Sequence, residues 1–244
     1  MTELQTFKGI SLTDMEAVKL LNRIDSKYIF HESELPAILK EIEPYYNILE
    51  INRNRQHRYE SLYFDTPDYQ LYYQHHNGKP NRMKVRFRRY TDTGLTFFEV
   101  KNKTGNSRTI KYREERSCVN DTLQATDYTL CKRLAIAPEQ LQHQLWIYFD
   151  RITLVSKDFS ERLTFDLNLA FRKAGSSSAY QKLVIAEVKQ DKNSVISPIV
   201  QSLRCRYISS SNFSKYSVGI ATLGNVKSNS FKPLLLKLNK ILKP

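Results

Sequence analysis

The stretch Lys84-Val-Arg86-Phe-Arg88-Arg-Tyr90 carries a basic residue at every second position. Successive side chains of a β-strand point to opposite faces, so Lys84, Arg86 and Arg88 fall on one face of a strand. The residues between them, Val85 and Phe87, are apolar and fall on the other face. The stretch therefore predicts a half-buried strand with one cationic face and one apolar face.

Two segments that follow, at 96–103 and 109–117, repeat this alternation. Apolar residues such as Phe98, Val100 and Tyr112 take one face, and ionic residues take the other. The ionic residues of these two predicted strands are Glu99, Lys101, Lys103, Lys111, Arg113 and Glu115. A solvated outer face explains one strand of this kind, but three in succession with so many cations indicate a face that meets an anion.

The charge of the whole chain agrees with an anionic partner. The sequence has 244 residues, with 38 Lys and Arg against 25 Asp and Glu, and a formal net charge of +13. Eight of these charges come from Lys79 to Arg116, which holds twelve basic and four acidic residues. Nucleic acid, anionic lipid and phosphate chains all fit such a surplus. Because the aromatic residues named above lie opposite the cations, base stacking is disfavoured and nucleic acid is not expected.

Other features exclude several classes of protein. No window approaches the ~18 consecutive apolar residues of a membrane span, and residues 1–10 lack a secretory signal, which predicts a cytoplasmic location. The three cysteines are widely spaced without a CxxC pair, which indicates reduced thiols and no zinc site. No Walker A loop, GxGxxG, HExxH or GxSxG motif occurs. Any nucleotide recognition is therefore expected to act through phosphates.

The order of predicted elements indicates an α+β fold. Further strands are expected at 27–31, 59–65, 146–157, 162–169 and 181–190. Helices are expected at 13–23, 34–42, 68–75, 123–134, 138–145, 196–207 and 231–242. With no long linker and no repeat, we expect one domain over 1–244, with an N-terminal helix in 1–22 and a basic C-terminal helix in 227–244. Eight mostly antiparallel strands with peripheral helices can close into a β-barrel.

The ionic face of such a barrel can point out to water or into the lumen. Burying many like charges costs several kcal/mol per ion without compensation. A cationic lumen must therefore be wide, hydrated and normally occupied by a polyanion, which would make it a binding tunnel.

Eight short motifs occur in order from about Arg23 to Gly219. They are Arg23-Ile-Asp25-Ser-Lys27-Tyr28, Tyr63-Phe-Asp65-Thr-Pro67, Lys84-Val-Arg86-Phe-Arg88, Phe98-Glu99-Val-Lys101-Asn-Lys103, Tyr148-Phe-Asp150-Arg151, Arg162-Leu-Thr-Phe-Asp166, Glu187-Val-Lys189 and Phe213-Ser-Lys215-Tyr216. In this set the chain resembles the VTC domain, the polyphosphate polymerase domain of the vacuolar transporter chaperone complex and its bacterial relatives. That family is a branch of the triphosphate tunnel metalloenzymes, within the CYTH-like superfamily.

The resemblance implies an eight-stranded tunnel barrel in which the γ-phosphate of ATP is transferred to a polyphosphate chain, with Mn²⁺ or Mg²⁺ held by inward carboxylates. Together with the strand patterns it points to catalytic residues at Lys27, Arg86, Arg88, Lys101 and Arg151. Substrate-binding residues are expected at Lys84, Lys103, Arg113, Arg162, Lys189 and Lys215. Glu187 matches the metal-binding glutamate, and Glu99, Asp166 and Asp25 are further candidates. Asp25 stands where the family usually has Glu, so its carboxylate is one methylene shorter.

Several alternatives stay open. A hydrolase of tripolyphosphate or nucleoside triphosphate would share the fold, with water reaching the γ-phosphate, and a non-catalytic binder of polyphosphate or RNA would use the same cations. Glu99, Glu115 and Asp166 can be metal ligands, water-positioning bases or counter-ions. The stretch 227–244 has five lysines and no acid. It can lie on an anionic membrane surface or against a membrane-embedded partner, which would place the protein at the inner face of a membrane, or it can pack on the barrel.

Overall fold

The computed structural model describes residues 2–16, 23–105, 109–134, 136–191 and 197–243. The described strands are β1 (Lys8–Ile10), β2 (Arg23–His31), β3 (Tyr46–Leu49), β4 (His57–Asp65), β5 (Arg82–Tyr90), β6 (Thr96–Lys103), β7 (Thr109–Arg116), β8 (Gln142–Ser156), β9 (Glu161–Lys173), β10 (Ser176–Tyr180) and β11 (Leu183–Asp191). The described α-helices are α1 (Leu12–Glu16), α2 (Leu35–Ile42), α3 (Gln70–His76), α4 (Ala125–Arg133), α5 (Pro198–Cys205), α6 (Lys215–Leu223) and α7 (Lys232–Leu242).

The main sheet has the strand order β2-β11-β9-β8-β4-β5-β6-β7, and every neighbouring pair along this path is antiparallel. These eight strands are the eight expected from the sequence, which confirms the α+β class and the mostly antiparallel sheet. Within the described ranges no ladder joins the two edge strands, so the sheet curls without closing into a complete barrel. One edge is covered instead, because Tyr28 forms a bridge with Ser210 and the Ser211 N–H donates to the Lys27 carbonyl at 2.7 Å.

Several elements differ from the sequence-based expectations. The prediction of a helix at 138–145 is wrong. A short 3-10 turn, Pro138–Gln140, leads into β8, and the first residues of β8 pair with the end of β4. Of the helix expected at 13–23, α1 covers the first part, and 17–22 lie outside the described residues. Strands β1, β3 and β10 extend the sheet at its margins and were not expected.

Helix α6 was not expected either, because its first residues belong to a motif grouped with the strands. Ser214 caps the helix by accepting a hydrogen bond from the Ser217 backbone N–H. The helix packs against β8 and β9, and a Cβ added at Gly219 would lie 2.5 Å from a Leu145 methyl carbon and 2.8 Å from the Phe171 ring. Only glycine permits this close approach, so Gly219 fixes the position of α6 against the sheet.

The outer face of β4–β6 forms one part of the hydrophobic core. Val85, Phe87, Phe98 and Val100 are fully buried there, in a cluster that includes residues of α4. The apolar face predicted from the alternating pattern is confirmed as the core-facing side. The ionic residues of β5 and β6 therefore point to the inner side of the curled sheet.

Helix α7 packs on the body of the protein through one face. Leu238 is fully buried, and Leu234, Leu235, Ile241 and Leu242 are partly buried against the cluster that surrounds α6. Leu236 points outward and is 58% exposed. Among the helices that the structure describes, none has the length and apolar character needed to cross a membrane.

Candidate functional site

The inner side of the curled sheet encloses a cavity of about 1470 Å³. Fourteen Lys and Arg and four Asp and Glu of the described residues line it. The cations are Lys27, Arg58, Arg82, Lys84, Arg86, Arg88, Lys101, Lys103, Lys111, Arg113, Arg151, Arg162, Lys189 and Lys215, and the acids are Asp25, Asp92, Asp166 and Glu187. An enclosed space with this excess of positive charge concentrates field lines and attracts anions.

All of the predicted site residues except Glu99 line this cavity. Glu99 lies just beneath its surface with 1% exposure and contacts two of the lining cations. Glu115 is not among the lining residues. The structure thus gathers the predicted residues at one site; which of them bind substrate or act in catalysis stays a prediction.

Three carboxylates of the site are each held between two cations. Glu187 is the first: its carboxylate lies 2.8 Å from Lys27 Nζ and 3.4 Å from Lys189 Nζ. Burial raises the pKa of Glu187, but the charges of Lys189 and Lys27 outweigh it and hold the pKa well below the usual range. Glu187 is therefore ionised and lies at the cavity surface.

Glu99 is the second of these carboxylates. It accepts two hydrogen bonds from Arg86, at 2.8 Å from Nε and 2.6 Å from Nη2, and lies 2.5 Å from Lys111 Nζ. Burial opposes ionisation of Glu99, yet the charges of Arg86, Arg88 and Lys111 hold its pKa well below its usual range. The Arg86 guanidinium also donates to the Tyr63 hydroxyl at 2.5 Å, so its fork is fixed toward the cavity.

Asp166 is the third carboxylate that is held between two cations. It accepts hydrogen bonds from Arg151, at 2.6 Å from Nε and 2.8 Å from Nη2, and it is ion-paired with Lys215 at the start of α6. Burial raises the pKa of Asp166, but Arg151 and Lys215 lower it to a net value of about 2. A carboxylate with such a low pKa is a weak base, so Asp166 serves best as a counter-ion that holds two cations in place.

The register of β5, β6 and β7 sets like charges directly opposite one another. Lys84 pairs with Lys101 and Lys101 pairs with Lys111, which makes one row of three lysines across three strands. We name this set the lysine row. Like charges directly opposite in a sheet are destabilising. An anion in the cavity would therefore offset the repulsion among the three lysines and stabilise the row.

The lysine pKa values reflect this crowding. Burial and nearby cations lower the pKa of Lys84 well below its usual value. For Lys101 burial is again the largest cause, and its pKa falls to about 8 despite the attraction of Glu187. The pKa of Lys111 also falls to about 8, chiefly through burial. The charged forms of these lysines are thus disfavoured as long as no anion lies beside them.

Several lining cations have no carboxylate partner among the residues that the structure describes. They are Arg82, Lys84, Arg88, Lys101, Lys103 and Arg113. Two of them rest on aromatic rings that the sequence analysis did not place in the cavity. Arg113 lies 3.8 Å from the Phe97 ring centroid, and Arg88 lies over Tyr59. These rings hold the guanidinium groups by cation–π contact, which leaves their N–H groups available to phosphate oxygens.

The carboxylates present fit a divalent ion that shares its coordination with phosphate. The described residues contain no cluster of three or more His, Cys, Asp and Glu that could form an all-protein metal site. Asp25 and Glu187 both line the cavity on the paired strands β2 and β11, where Lys27 lies opposite Glu187 and Asp25 lies opposite Lys189. Mg²⁺ commonly takes one or two carboxylates and completes its shell with phosphate oxygens and water. This donor set is compatible with such an ion.

Two features of the site lie outside the predicted residues. Lys111 follows the alternating pattern of β7 and lines the cavity, but it is not among the predicted site residues. His57 and Asp92 also line the cavity, and His57 Nδ1 lies 2.6 Å from Asp92 Oδ2. No local motif links these two residues, because 34 positions separate them and the tertiary fold alone brings them together.

The curled antiparallel sheet around a cationic cavity is the arrangement that the family resemblance in the sequence implies. A family model for the VTC domain matches residues 22–224, and the chain belongs to the VTC domain family. The family resemblance seen in the sequence is thereby confirmed. A search of curated protein sequences finds no match.

A solved structure shares the fold. A protein from Bacillus halodurans, described as a candidate adenylate cyclase, has 14% sequence identity and a TM-score of 0.50 over 79% of this chain and 94% of its own. A Hippeastrum protein, described as a candidate adenylyl cyclase with a dominant triphosphatase activity, has 13% identity and a TM-score of 0.47 over 82% of this chain and 96% of its own. At these identities the similarity concerns the fold alone.

Proposed function

We propose that this protein is a metal-assisted phosphotransferase that binds ATP and polyphosphate in the cavity and transfers the γ-phosphate of ATP to the polyphosphate chain. The observation that carries the proposal is the lysine row, Lys84, Lys101 and Lys111, on a wall that also presents Lys103 and Arg113. Such a row is unfavourable when the cavity is empty of anions and favourable beside a chain of phosphates. A repeating polyanion suits a repeating set of cations.

The chemistry requires positioning and charge neutralisation from the protein. Phosphoryl transfer proceeds through a loose transition state with charge on the equatorial oxygens, and the donor and acceptor must be held in line. Arg86 donates twice to one oxygen of Glu99, and Arg151 donates to both oxygens of Asp166; these contacts fix the two guanidinium groups. Preorganised donors of this kind need little reorganisation when charge develops. The lysines without carboxylate partners then bind the rest of the chain as mobile point charges.

Asp25 and Glu187 are the residues that would hold Mn²⁺ or Mg²⁺. When bound with phosphate, a divalent ion of this type neutralises charge on the phosphate oxygens and orients them. Lys27 and Lys189 stay in contact with Glu187 and add positive charge at the same place. The two lysines and the carboxylate thus make a mixed site for metal and phosphate together.

The state of the carboxylates favours a phosphate acceptor over water. An acceptor phosphate is already anionic and needs no proton removed, whereas an attacking water is usually activated by a base. Glu99, Asp166 and Glu187 all have lowered pKa values and are held by cations, so each is a weak base. This supports transfer to polyphosphate rather than hydrolysis of triphosphate, the second function that the family resemblance leaves open.

The proposal is tested by incubating the protein with ATP and Mn²⁺ or Mg²⁺ and resolving the products on a gel. We expect phosphate chains longer than the donor, and we expect Lys101→Met to reduce their formation. Lys132→Met is the matched control, because Lys132 lies on α4 with its side chain 65% exposed and outside the cavity. Free phosphate alone would support the hydrolase, and neither product from a folded protein would contradict both functions.

The expected surroundings of the enzyme stay predictions. We propose a cytoplasmic location, and the lysine-rich pattern of 227–244 supports attachment at the inner face of a membrane. The inward side of α7 packs on the protein. Lys232, Leu236 and Lys240 are exposed on the side that an anionic membrane surface or a membrane-embedded partner would meet. Co-sedimentation with anionic and neutral vesicles distinguishes this from simple packing.

A further inference from the structure

The hydroxyl of Ser214 lies beside the amine of Lys84 at the surface of the proposed phosphate-binding cavity. It lines the cavity at the start of α6, and Lys84 Nζ lies 2.9 Å from its Oγ. The Ser217 hydroxyl lies 3.1 Å from the same oxygen and 2.7 Å from His75 Nδ1. The four side chains form one continuous hydrogen-bonded path, with Ser214 between Lys84 and Ser217.

The surroundings of Lys84 favour its neutral amine. Arg82 and Arg86 flank it on β5, Lys101 lies opposite it on β6, and Lys27 approaches from β2. His75 lies on α3, and burial followed by repulsion from Lys84, Arg82 and Lys103 lowers its pKa to about 3, so it stays neutral. Within the described part of the chain Lys84 has no carboxylate partner. An amine in this position can accept a proton from the hydroxyl that it contacts.

A serine hydroxyl becomes a nucleophile when a base lies within hydrogen-bond reach. At 2.9 Å, Lys84 Nζ meets that geometric condition for Ser214 Oγ. The same hydroxyl belongs to the wall where Lys101 and Lys103 would hold a phosphate chain. Nucleophile, base and phosphate-binding cations are therefore assembled at one place.

We propose that Ser214 is a phosphoryl acceptor, so that the protein phosphorylates itself inside its own cavity; this rests on the proposed binding of ATP or tripolyphosphate there. Ser214 Oγ forms a bond to the terminal phosphorus, and the bond from that phosphorus to the bridging oxygen breaks. The electron pair of the broken bond leaves with ADP or pyrophosphate. The hydroxyl proton passes to Lys84 Nζ, and the resulting ammonium neutralises the new phosphate.

The product would be stabilised by its position. A phosphate on Ser214 lies at the N-terminus of α6, where backbone N–H groups and the helix dipole favour negative charge. Lys84 on one side and Lys215 next in the chain supply positive charge. A seryl phosphate there would also occupy part of the anion site, so the modified protein is expected to bind free tripolyphosphate more weakly.

The test is incorporation of phosphate from γ-labelled ATP with Mn²⁺, measured by acid quench, intact mass and peptide mapping. We expect one phosphate on Ser214 in the wild-type protein. Ser214→Asn keeps a side chain suited to the N-cap and removes the nucleophile, so incorporation should be lost while the fold is retained. Ser211→Ala is the matched control, because Ser211 lines the same cavity; its labelling should equal that of the wild type.

A second variant tests the base. Lys84→Arg replaces the amine by a guanidinium that cannot accept a proton, so labelling should slow by about a hundredfold at a tripolyphosphate concentration that saturates the variant. Labelling of Ser214→Asn at the wild-type level, or of Lys84→Arg at the wild-type rate, would overturn the proposal. Tripolyphosphate binding without any incorporation would overturn it and leave the proposed function standing. If the protein neither binds tripolyphosphate nor incorporates phosphate, both this proposal and the proposed function are overturned.

Discussion

Replacing Lys101 by methionine should make the protein more stable without ligand and less responsive to polyphosphate. Lys101 stands in the middle of the lysine row, directly opposite Lys84 on one side and Lys111 on the other. Its pKa is lowered to about 8, chiefly by burial, which means that its charged form is disfavoured in the folded protein. Methionine keeps most of the side-chain length and removes the charge.

The size of the effect follows from the two opposed pairs. Each directly opposite pair of charges in a sheet contributes roughly 0.2–1 kcal/mol, and the pair with Lys84 adds to this only when Lys84 is charged. Replacing Lys101 should therefore raise the free energy of unfolding by about 0.2–2 kcal/mol. For a protein of this length, each kcal/mol raises Tm by about 2–4 °C. In the presence of tripolyphosphate the variant loses one charge-assisted contact, so its affinity should fall about tenfold, or about 1.4 kcal/mol.

The assay is thermal unfolding at pH 7 and fixed ionic strength, with and without tripolyphosphate, supported by calorimetric titration of the ligand. Lys132→Met is the control, because its partner Glu139 lies 3.5 Å away on the protein surface and both side chains are mostly exposed. Its stability and its ligand response should match the wild type. A lower Tm for Lys101→Met without ligand, or an unchanged ligand-induced rise in Tm, would refute the reasoning.

Four further outcomes are expected. Gly219→Ala sets a methyl group 2.5 Å from a Leu145 methyl carbon, so urea unfolding should show a loss of about 1–3 kcal/mol. Asp166→Asn removes the charge that compensates two buried cations and should lower the free energy of unfolding by about 3 kcal/mol. Because the folded-state pKa of Asp166 is about 2, below its unfolded value, its contribution is complete above about pH 4 and is lost as pH falls toward 2. Circular dichroism should show acid unfolding in that window, with weaker pH dependence in Asp166→Asn. Glu187→Gln should raise the Mn²⁺ concentration needed for half-maximal activity, and an unchanged requirement would argue against metal binding there.

The strand pattern could be predicted because alternation records a buried face and a charged face in the local sequence. Val85 and Phe87 are fully buried while Lys84 and Arg86 line the cavity, as the alternation indicates. Helix α6 could not be found in this way, since its start belongs to a short motif without visible periodicity. Its capping serine and its close approach at Gly219 depend on the sheet that it packs against.

The pairing of charges could not be predicted from the sequence. Whether a cation meets a carboxylate or another cation depends on the register between strands, and a shift of two residues exchanges the partners while keeping the faces. Lys101 faces two lysines, whereas Arg86 faces Glu99, although both cations follow the same alternation. The sequence analysis left Glu99 open between metal ligand, base and counter-ion; its burial between Arg86 and Lys111 indicates a counter-ion.

A crystal structure of the protein with tripolyphosphate and Mn²⁺ tests the central claim most directly. We expect phosphate groups inside the cavity, with oxygens in contact with Lys84, Lys101 and Arg113 and with the metal ion beside Glu187. Phosphate bound only on the outer surface, for example at the lysines of α7, with the cavity holding water alone, would contradict the claim that the lysine row is an anion-binding site.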